Sequence, residues 1–280
     1  MTRARPDFTV LGAAGFVGGH MVRWLEAQGR SVHAPARHDA LVFDRPLGHV
    51  VYAIGLTADY AARPFDTVEA HTTLFARLLR EAAFDSVVYL SSTRLYDWTG
   101  RDGDAEADLV LNPHNPRHLY DFTKGVGESL CNVCGGGRAR VARLSCVYAD
   151  DLAADNFLHR MIAGALEEPR LTVESDPAAA RDYIHADDVC AALAAIAERG
   201  RRLVYNVAAG ANVANRDLFA MIEAATGCCI AATGHGAPAR APLIDVAPLL
   251  ADFGLAPRAL ADALPAIVAA RRGAPRRKAG

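Results

Sequence analysis

The stretch Phe8-Thr9-Val10-Leu11-Gly12-Ala13-Ala14-Gly15-Phe16-Val17-Gly18 decides the fold class. Its first four residues are apolar or β-branched, which predicts a short buried strand. Apolar side chains then recur at Val17, Met21 and Leu25, the spacing of one helix face. The stretch therefore predicts a strand that passes into a helix through a glycine-rich turn.

A turn of this kind is suited to binding phosphate. Glycines let backbone N–H groups approach a pyrophosphate, and the start of the following helix supplies a positive field. We interpret it as a dinucleotide-binding turn, with Gly12 at the bend, Gly15 at the close approach and Gly18 packing helix against strand. The predicted cofactor-binding residues here are Gly12, Gly15, Phe16, Val17 and Gly18. A glycine turn that serves packing alone is the alternative.

Strand and helix patterns alternate over the first two thirds of the chain, which predicts a parallel sheet with helices on both faces. The predicted strands are residues 8–11, 31–36, 49–54, 86–90, 140–144 and 203–207. Only eleven residues lie between Arg37 and His49, too few for two crossovers of ordinary length. The third strand region is therefore predicted to be shortened or missing, with Val42 and Phe43 as its candidate remnant.

The last third of the chain shows helical patterns at residues 156–166 and 215–226 and two Ala/Leu-rich helical stretches within residues 242–270, without clean strand-helix alternation. We expect a dinucleotide-binding core in residues 1–150 and a smaller substrate-binding lobe that comprises residues 151–182 and 208–270. Residues 183–207 are expected to return to the core, and residues 271–280 to form a flexible tail.

Composition and charge restrict the partners. Of the 280 residues 51% are hydrophobic, enough for a large core, and the net charge is −2 with Lys+Arg 30 against Asp+Glu 32. This balance offers no electrostatic footprint for nucleic acid or an anionic membrane, and no apolar run reaches the roughly 20 residues of a membrane span.

Of six cysteines only Cys131 and Cys134 have CxxC spacing, without a second pair for zinc. We expect a cytoplasmic protein with small-molecule partners and no metal site.

Three residues form a candidate catalytic triad. Tyr120 and Lys124 are four residues apart near the start of a predicted helix, so both project from one face. A nearby ammonium favours phenolate over phenol, which lets the tyrosine donate or accept a proton, and it is also expected to bind the nicotinamide ribose. Ser92 follows the predicted strand 86–90, at the carboxyl ends of the strands, where open parallel sheets bind ligands. The alternative for Ser92 and Thr93 is a helix cap or turn.

The end of the second strand bears on the choice of cofactor. NAD-binding units usually carry an acidic residue there, about 20 residues past the glycines, which binds the ribose hydroxyls. Here Ala36 occupies that position and Arg37 follows. Without the carboxylate a 2′-phosphate is not repelled, and Arg37 is able to pair with it. The sequence predicts NADP, with NAD as the alternative; an exposed Arg37 on a solvated loop is the competing interpretation.

Further motifs accompany the glycine turn and the triad. They are Ala53-Ile54-Gly55, Ser91-Ser92-Thr93-Arg94-Leu95-Tyr96, Arg143-Leu144-Ser145-Cys146-Val147-Tyr148, residues 181–188 (RDYIHADD) and Tyr205-Asn206-Val207. From Phe8 to about Pro265 the sequence resembles the extended short-chain dehydrogenases/reductases, also called the NAD-dependent epimerase/dehydratase family. The resemblance implies a Rossmann-type doubly wound parallel sheet with a small carboxyl-terminal substrate-binding lobe. It also implies that Ser92, Tyr120 and Lys124 are catalytic and that Ala53, Ile54, Gly55, Tyr120 and Lys124 contact the cofactor.

Members of this family mostly act on nucleotide-activated sugars, so the resemblance implies a substrate of that class. The expected substrate-binding residues are Thr93, Asn156 and Arg181. A structural ion pair of Arg181 with Asp187 or Asp188 is the alternative. The resemblance also implies a homodimer, formed by the helices that begin near Thr67 and Tyr120.

Dehydratases of this family carry an acidic pair directly after the catalytic hydroxyl, and Thr93-Arg94 does not supply one, so dehydration is disfavoured. The leading hypothesis is a reductase of a keto group on a nucleotide sugar, in which the cofactor gives hydride and Tyr120 protonates the oxygen. A nucleotide-sugar 4-epimerase that retains NAD is the second hypothesis. A non-catalytic NADP-binding sensor or assembly protein is the third, and the complete triad argues against it.

Overall fold

The computed structural model describes residues 5–36, 43, 45–151, 156–234 and 241–273. The strands are β1 (Phe8–Leu11), β2 (Val32–His33), β3 (His49–Tyr52), β4 (Ser86–Ser92), β5 (Ala139–Leu144), β6 (Cys146–Tyr148), β7 (Arg170–Val173), β8 (Ala180–His185), β9 (Val204–Val207), β10 (Asn212–Ala214) and β11 (Cys229–Ala232). The α-helices are α1 (Phe16–Ala27), α2 (Pro64–Val68), α3 (Leu74–Glu81), α4 (His118–Cys134), α5 (Phe157–Glu167), α6 (Ala186–Arg199), α7 (Asn215–Thr226), α8 (Ala247–Phe253) and α9 (Leu260–Gly273). A π-helix (Glu69–Thr73) joins α2 to α3, and a 3₁₀ helix (Thr93–Tyr96) follows β4.

The main sheet has six strands in the order β2-β1-β3-β4-β5-β9, and every neighbouring pair is parallel. This confirms the predicted α/β class with a parallel central sheet. Helices α1 and α6 pack on one face and α3 and α4 on the other. Because both faces are covered, every residue of β1 is buried and no polar alternation is needed.

The predicted strand 31–36 is too long. Strand β2 comprises only Val32–His33, and it pairs with Phe8 and Thr9 of β1 at the edge of the sheet. Pro35 has no N–H to donate to a strand ladder, which is consistent with the early end. In the described part of the chain no strand lies between β2 and β3: Phe43 is not in a strand, and Val42 lies outside the described residues.

The expectation of a lobe without strand-helix alternation is wrong. Strands β10, β8 and β6 form a three-stranded sheet, and β11 pairs in parallel with β7. These strands have three to six residues each, too short for a reliable period in sequence. Helices α5, α7 and α9 cover them and contribute to a second apolar core.

The two helical stretches predicted within residues 242–270 are present as α8 and α9, and Gly254 ends α8 in the left-handed region with a φ of 69°. The boundary of the expected flexible tail differs: residues 271–273 belong to α9, and the rest of residues 271–280 lies outside the described residues. No helix within the described ranges has the length and apolar character needed to cross a membrane.

Candidate active site

The glycine turn lies between β1 and α1, against the end of β3. Gly12 has a φ of 90°, and a Cβ there would lie 2.7 Å from the carbonyl carbon of Ala53. A Cβ on Gly18 would lie 2.3 Å from the Gly12 carbonyl oxygen. Both glycines are therefore required by the close packing of backbone on backbone.

The turn leaves room for an anionic ligand. Gly15 precedes α1 and gives it no side-chain cap, so the first N–H groups of the helix are available to a ligand. A cavity of about 280 Å³ adjoins them, lined by Ala13, Ala14, Gly15, Phe16, Gly19, His20, Arg23 and Asp151. These features fit the diphosphate of a dinucleotide, and Gly15, Phe16 and Val17 are the residues that would hold it.

The end of β3 brings the turn next to the triad. Ala53 donates its N–H to the Leu11 carbonyl oxygen at 2.8 Å. A Cβ placed on Gly55 would lie 3.0 Å from His71 Nε2 and 3.3 Å from Lys124 Nζ. The predicted cofactor residues 53–55 thus lie between the glycine turn and the lysine.

Ser92 and Tyr120 meet at the carboxyl end of β4. The Ser92 hydroxyl is close enough to the Tyr120 hydroxyl to lower the pKa of that phenol, and Tyr120 is 3% exposed. Ser92 Oγ also accepts the Arg94 N–H at 3.2 Å, so it caps the 3₁₀ helix as well. Burial raises the pKa of Tyr120, while the Ser92 hydrogen bond and the Arg94 guanidinium act in the opposite direction.

Lys124 is buried on the same face of α4 as Tyr120. Its Nζ donates to the Leu90 carbonyl oxygen at 2.8 Å and lies 5.8 Å from the centre of the Tyr120 ring. Burial lowers the pKa of Lys124 to about 7, with the Glu128 carboxylate opposing that shift. The cation nearer to the tyrosine is Arg94, whose Cζ lies 4.6 Å from the ring centre.

A second cavity is lined in part by β6, β8 and the start of α5, and two of the predicted substrate residues line it. It has a volume of about 390 Å³ and is lined by Cys146, Asn156, Phe157, Leu158, Arg160, Ser175, Ala179, Arg181, Tyr183 and Asn215. Asn156 caps α5, since its Oδ1 accepts the His159 N–H at 2.8 Å. Thr93, the third predicted residue, is half-buried beside Ser92.

The alternative ion pair of Arg181 does not form in the described part of the chain. Arg258 pairs with Asp188 at 3.1 Å and with Asp187 at 3.8 Å instead. Arg181 is therefore left to face the second cavity.

A model of the NAD dependent epimerase/dehydratase family matches residues 8–208. The chain belongs to that family. It is accordingly an enzyme of the extended short-chain dehydrogenase/reductase type.

Two curated relatives of this epimerase/dehydratase family enzyme match part of the chain. A dTDP-glucose 4,6-dehydratase of Streptomyces griseus is 28% identical over 196 residues, which cover 66% of this chain and 58% of the relative. An uncharacterized UDP-glucose epimerase of Bacillus subtilis (strain 168), YtcB, is 28% identical over 120 residues, which cover 42% and 36%. The matched parts span less than two thirds of either relative.

Solved structures match the family enzyme over nearly its whole length. MoeE5 in complex with UDP-glucose and NAD has a TM-score of 0.77 at 24% identity, with 95% of this chain and 98% of that chain covered. RMD from Pseudomonas aeruginosa complexed with NADPH has a TM-score of 0.76 at 22% identity, with 96% and 98% covered. At these identities the likeness establishes the fold.

Sequence reasoning about this family enzyme missed His71. The residue is buried in the π-helix, where the Ala70 and His71 carbonyl oxygens accept the hydroxyls of Tyr52 at 2.7 Å and Tyr89 at 3.0 Å. A wide π turn displaces carbonyls from the α-helical ladder, and the two tyrosines satisfy them. A lone histidine on the apolar face of the predicted helix is the only signal in the sequence.

The imidazole of His71 connects three parts of the site. Its Nε2 accepts the Leu56 N–H at 3.1 Å, so in the neutral ring Nδ1 carries the proton and donates to Thr123 Oγ1 at 2.8 Å. Thr123 in turn donates to the Tyr120 carbonyl oxygen at 2.9 Å. Burial, and then the Lys124 ammonium, lower the pKa of His71 to about 3. A neutral histidine therefore ties the loop after β3 to the start of α4.

Proposed function

We propose that the enzyme is an NAD(P)-dependent reductase of a keto group on a nucleotide-activated sugar. The observation that carries the proposal is the proximity of the Ser92 and Tyr120 hydroxyls at the end of β4, beside the glycine turn. A bound nicotinamide cofactor supplies the hydride. Tyr120 donates its phenolic proton to the substrate oxygen, Ser92 orients that oxygen, and Lys124 Nζ holds the cofactor ribose.

The division of the chain supports this assignment. In the proposal residues 1–150 bind the cofactor, residues 151–182 and 208–270 bind the substrate, and residues 183–207 complete the core. Arg181 and Arg160 give the second cavity positive charge, which suits the diphosphate of a nucleotide sugar. The names of the S. griseus and B. subtilis relatives, which contain dTDP-glucose and UDP-glucose, point to the same substrate class.

A reductase is favoured over a dehydratase because of the residues that follow Ser92. Elimination of water needs an acid and a base near the substrate in addition to the hydride carrier. Neither Thr93 nor Arg94 has a carboxyl group that could take either role. A 4-epimerase remains the second candidate, because the same triad serves it. An epimerase keeps its cofactor through each turnover and is expected to be purified with it bound. Absorbance of the purified protein near 340 nm, or release of a dinucleotide by acid, would therefore favour the epimerase over the reductase.

NADP is the proposed cofactor. Ala36 stands where a carboxylate would bind the ribose of NAD, and Arg37, which lies outside the described residues, follows it. We expect Arg37→Ala to weaken NADP binding by about tenfold or more while NAD binding changes little, since only NADP carries the 2′-phosphate. Equal losses for both cofactors, measured by isothermal titration calorimetry, would contradict the assignment.

The enzyme is also proposed to form a homodimer through α2 and α4. Phe65 on α2 is 87% exposed, and Val126 and Val133 on α4 are exposed as well. Apolar side chains at these positions are typical of a helical interface. Val126→Glu is expected to shift the protein toward monomer in sedimentation velocity, whereas Leu250→Glu, at an exposed apolar position of α8, is the control expected to leave the assembly unchanged.

The catalytic assignment is tested with Tyr120→Phe. We expect this variant to retain cofactor binding and to lose turnover by about 10²–10⁴-fold, the usual contribution of a proton-transferring side chain. Tyr205→Phe is the matched control, because its hydroxyl bonds to Asp252 outside the site. The assay follows absorbance at 340 nm with UDP-, GDP- and dTDP-sugars, in which near-normal rates of Tyr120→Phe would overturn the proposal.

A further inference from the structure

We propose that Arg94 binds a carboxylate on the sugar, so that the preferred substrate is a nucleotide-activated uronic acid. This inference rests on the proposed function, because it takes the substrate to be a nucleotide sugar. It adds the chemical class of the sugar and a binding residue that the catalytic triad does not include.

The position of Arg94 places a cation at the reacting centre. Its backbone N–H bonds to Ser92 Oγ, and its guanidinium lies over the Tyr120 ring at 4.6 Å and over the Tyr60 ring at 5.3 Å. The two tyrosine rings are themselves 5.5 Å apart. A substituent near the carbon that Tyr120 serves is therefore within reach of the guanidinium.

The Arg94 guanidinium has about five N–H donors, more than its contacts with Tyr60 and Tyr120 use. Arginine on an aromatic face keeps its N–H groups in the plane of the stack, where they match the two oxygens of a carboxylate. Among the described residues no carboxylate lies within 4.0 Å of the Arg94 nitrogens, although the side chain is half-buried. Burial opposes the charge of Arg94, but the Tyr60 hydroxyl, Tyr120 and Asp121 raise its pKa above the ordinary value, so the guanidinium stays a cation that an anionic ligand is able to bind.

The nearby acidic groups do not take that place. Asp121 receives the Trp98 Nε1–H at 3.2 Å, and its other carboxyl oxygen is buried without a partner. Burial raises the pKa of Asp121 and of Asp97, the second carboxyl near Arg94. Arg181 and Arg117 also act on Asp97 electrostatically, so the surroundings of Arg94 carry further positive charge that favours an anion.

Two other roles of Arg94 would give different results. If it bound the diphosphate of the nucleotide, its removal would weaken neutral and acidic sugars equally. If it only lowered the pKa of Tyr120, its removal would shift the pH profile toward alkaline pH without changing the preference between sugars.

The experiment compares sugars that differ only in the carboxylate. The binding constants of UDP-glucuronic acid and UDP-glucose are measured by calorimetry with saturating NADP⁺, and kcat/KM is measured for their oxidation; both are repeated with the dTDP pair. We expect the wild-type protein to prefer the uronic acid by about tenfold or more, and Arg94→Gln to reduce that preference to within about threefold. Arg94→Lys keeps the charge but loses the planar fork, and an intermediate preference is expected.

The controls separate this inference from the proposed function. Arg80→Gln removes an exposed arginine of α3 and is expected to leave the preference unchanged. Binding of both sugars without a preference, or a preference that survives Arg94→Gln, would overturn the role of Arg94 while leaving the proposed function intact. Failure of every nucleotide sugar to bind would overturn both.

Discussion

Glu128 and Arg143 form a two-point ion pair beneath the end of β4. Arg143 Nε donates to Glu128 Oε1 at 2.9 Å and Nη2 donates to Oε2 at 2.6 Å. The Arg143 side chain is 4% exposed and the Glu128 side chain is 9% exposed. Ser91 Oγ donates to the same carboxylate at 2.5 Å, and Arg143 Nη1 donates to the Tyr96 hydroxyl at 2.7 Å. The pair thus holds the two segments on either side of Ser92.

Removal of one partner of this pair is expected to destabilise the fold strongly. Glu128→Gln leaves the Arg143 guanidinium buried without a counter-charge, which costs about 3–5 kcal/mol in comparable cases. Urea unfolding monitored by circular dichroism gives the difference in free energy. Glu81→Gln, which disrupts the exposed pairs with Arg77 and Arg80, is the control and is expected to change the free energy of unfolding little. Similar losses in both variants would contradict the prediction.

Lys124 is expected to make stability depend on alkaline pH. Its pKa is about 7 in the fold and near 10.5 in the unfolded chain, so the unfolded state holds more protons between these values. Stability therefore rises with pH across that window, and the penalty is fully present below pH 7. Lys124→Met, which carries no such penalty, is expected to be more stable than the wild type by about 2 kcal/mol or more at pH 6, since one pKa step is worth about 1.4 kcal/mol.

The measurement for Lys124 is the free energy of unfolding at pH 6, 8 and 10. The advantage of the methionine variant is expected to shrink as the pH rises and to be smallest at pH 10. A difference that stays constant over this range would show that the lysine is not buried as a costly cation.

His71 is expected to contribute to the loss of stability in acid. Its pKa is about 3 in the fold, below the ordinary value of 6.5, so the unfolded state takes up a proton first as the pH falls. Stability is lost from about pH 6.5 downward, and the loss is complete near pH 3. Between pH 7.5 and pH 5 we expect the wild type to lose about 2 kcal/mol more than His71→Gln. His114→Gln, at an exposed position, is expected to keep the pH dependence of the wild type.

Gly18 and Gly125 are a matched pair of helical glycines. Alanine at 18 would place a Cβ 2.3 Å from the Gly12 carbonyl oxygen, whereas alanine at 125 meets only Leu111 at 3.9 Å. Gly18→Ala is therefore expected to open the turn and weaken NADP binding by more than about tenfold. Gly125→Ala is expected to bind NADP normally and to gain about 0.5–1 kcal/mol from helix propensity. Calorimetric titration and thermal unfolding of the two variants check both statements.

Much of the main sheet follows from local pattern. The run 8–18 contains strand, turn and helix in the order in which they occur, and the predicted helix at residues 215–226 coincides with α7. Residues of a parallel sheet buried on both faces are recognisable because they are uniformly apolar. Strand β7, with four residues of mixed exposure, lacks this signal and forms because β11 pairs with it from 59 residues away, as Arg170 does with Cys229.

The candidate site was predictable only where spacing determines proximity. Tyr120 and Lys124 are four residues apart in one helix, so their proximity follows from the sequence spacing alone. The approach of Arg94 to the tyrosine depends on how the 3₁₀ helix leaves β4, and that of His71 depends on a π turn. Neither turn has a sequence signature, because each is stabilised by contacts that form only in the folded chain.

The wide turn at Glu69–Thr73 has a consequence for the helical rod of which it is the middle. An α turn holds 3.6 residues, so one additional residue rotates all that follows by roughly 100° about the axis. Phe65 before the turn faces outward, while Phe75 and Leu78 after it face the sheet. The segment can thereby direct apolar side chains before the π-helix outward and those after it toward the core. Deletion of one residue from the π-helix would rotate the two sets relative to each other, so that both could no longer keep these directions.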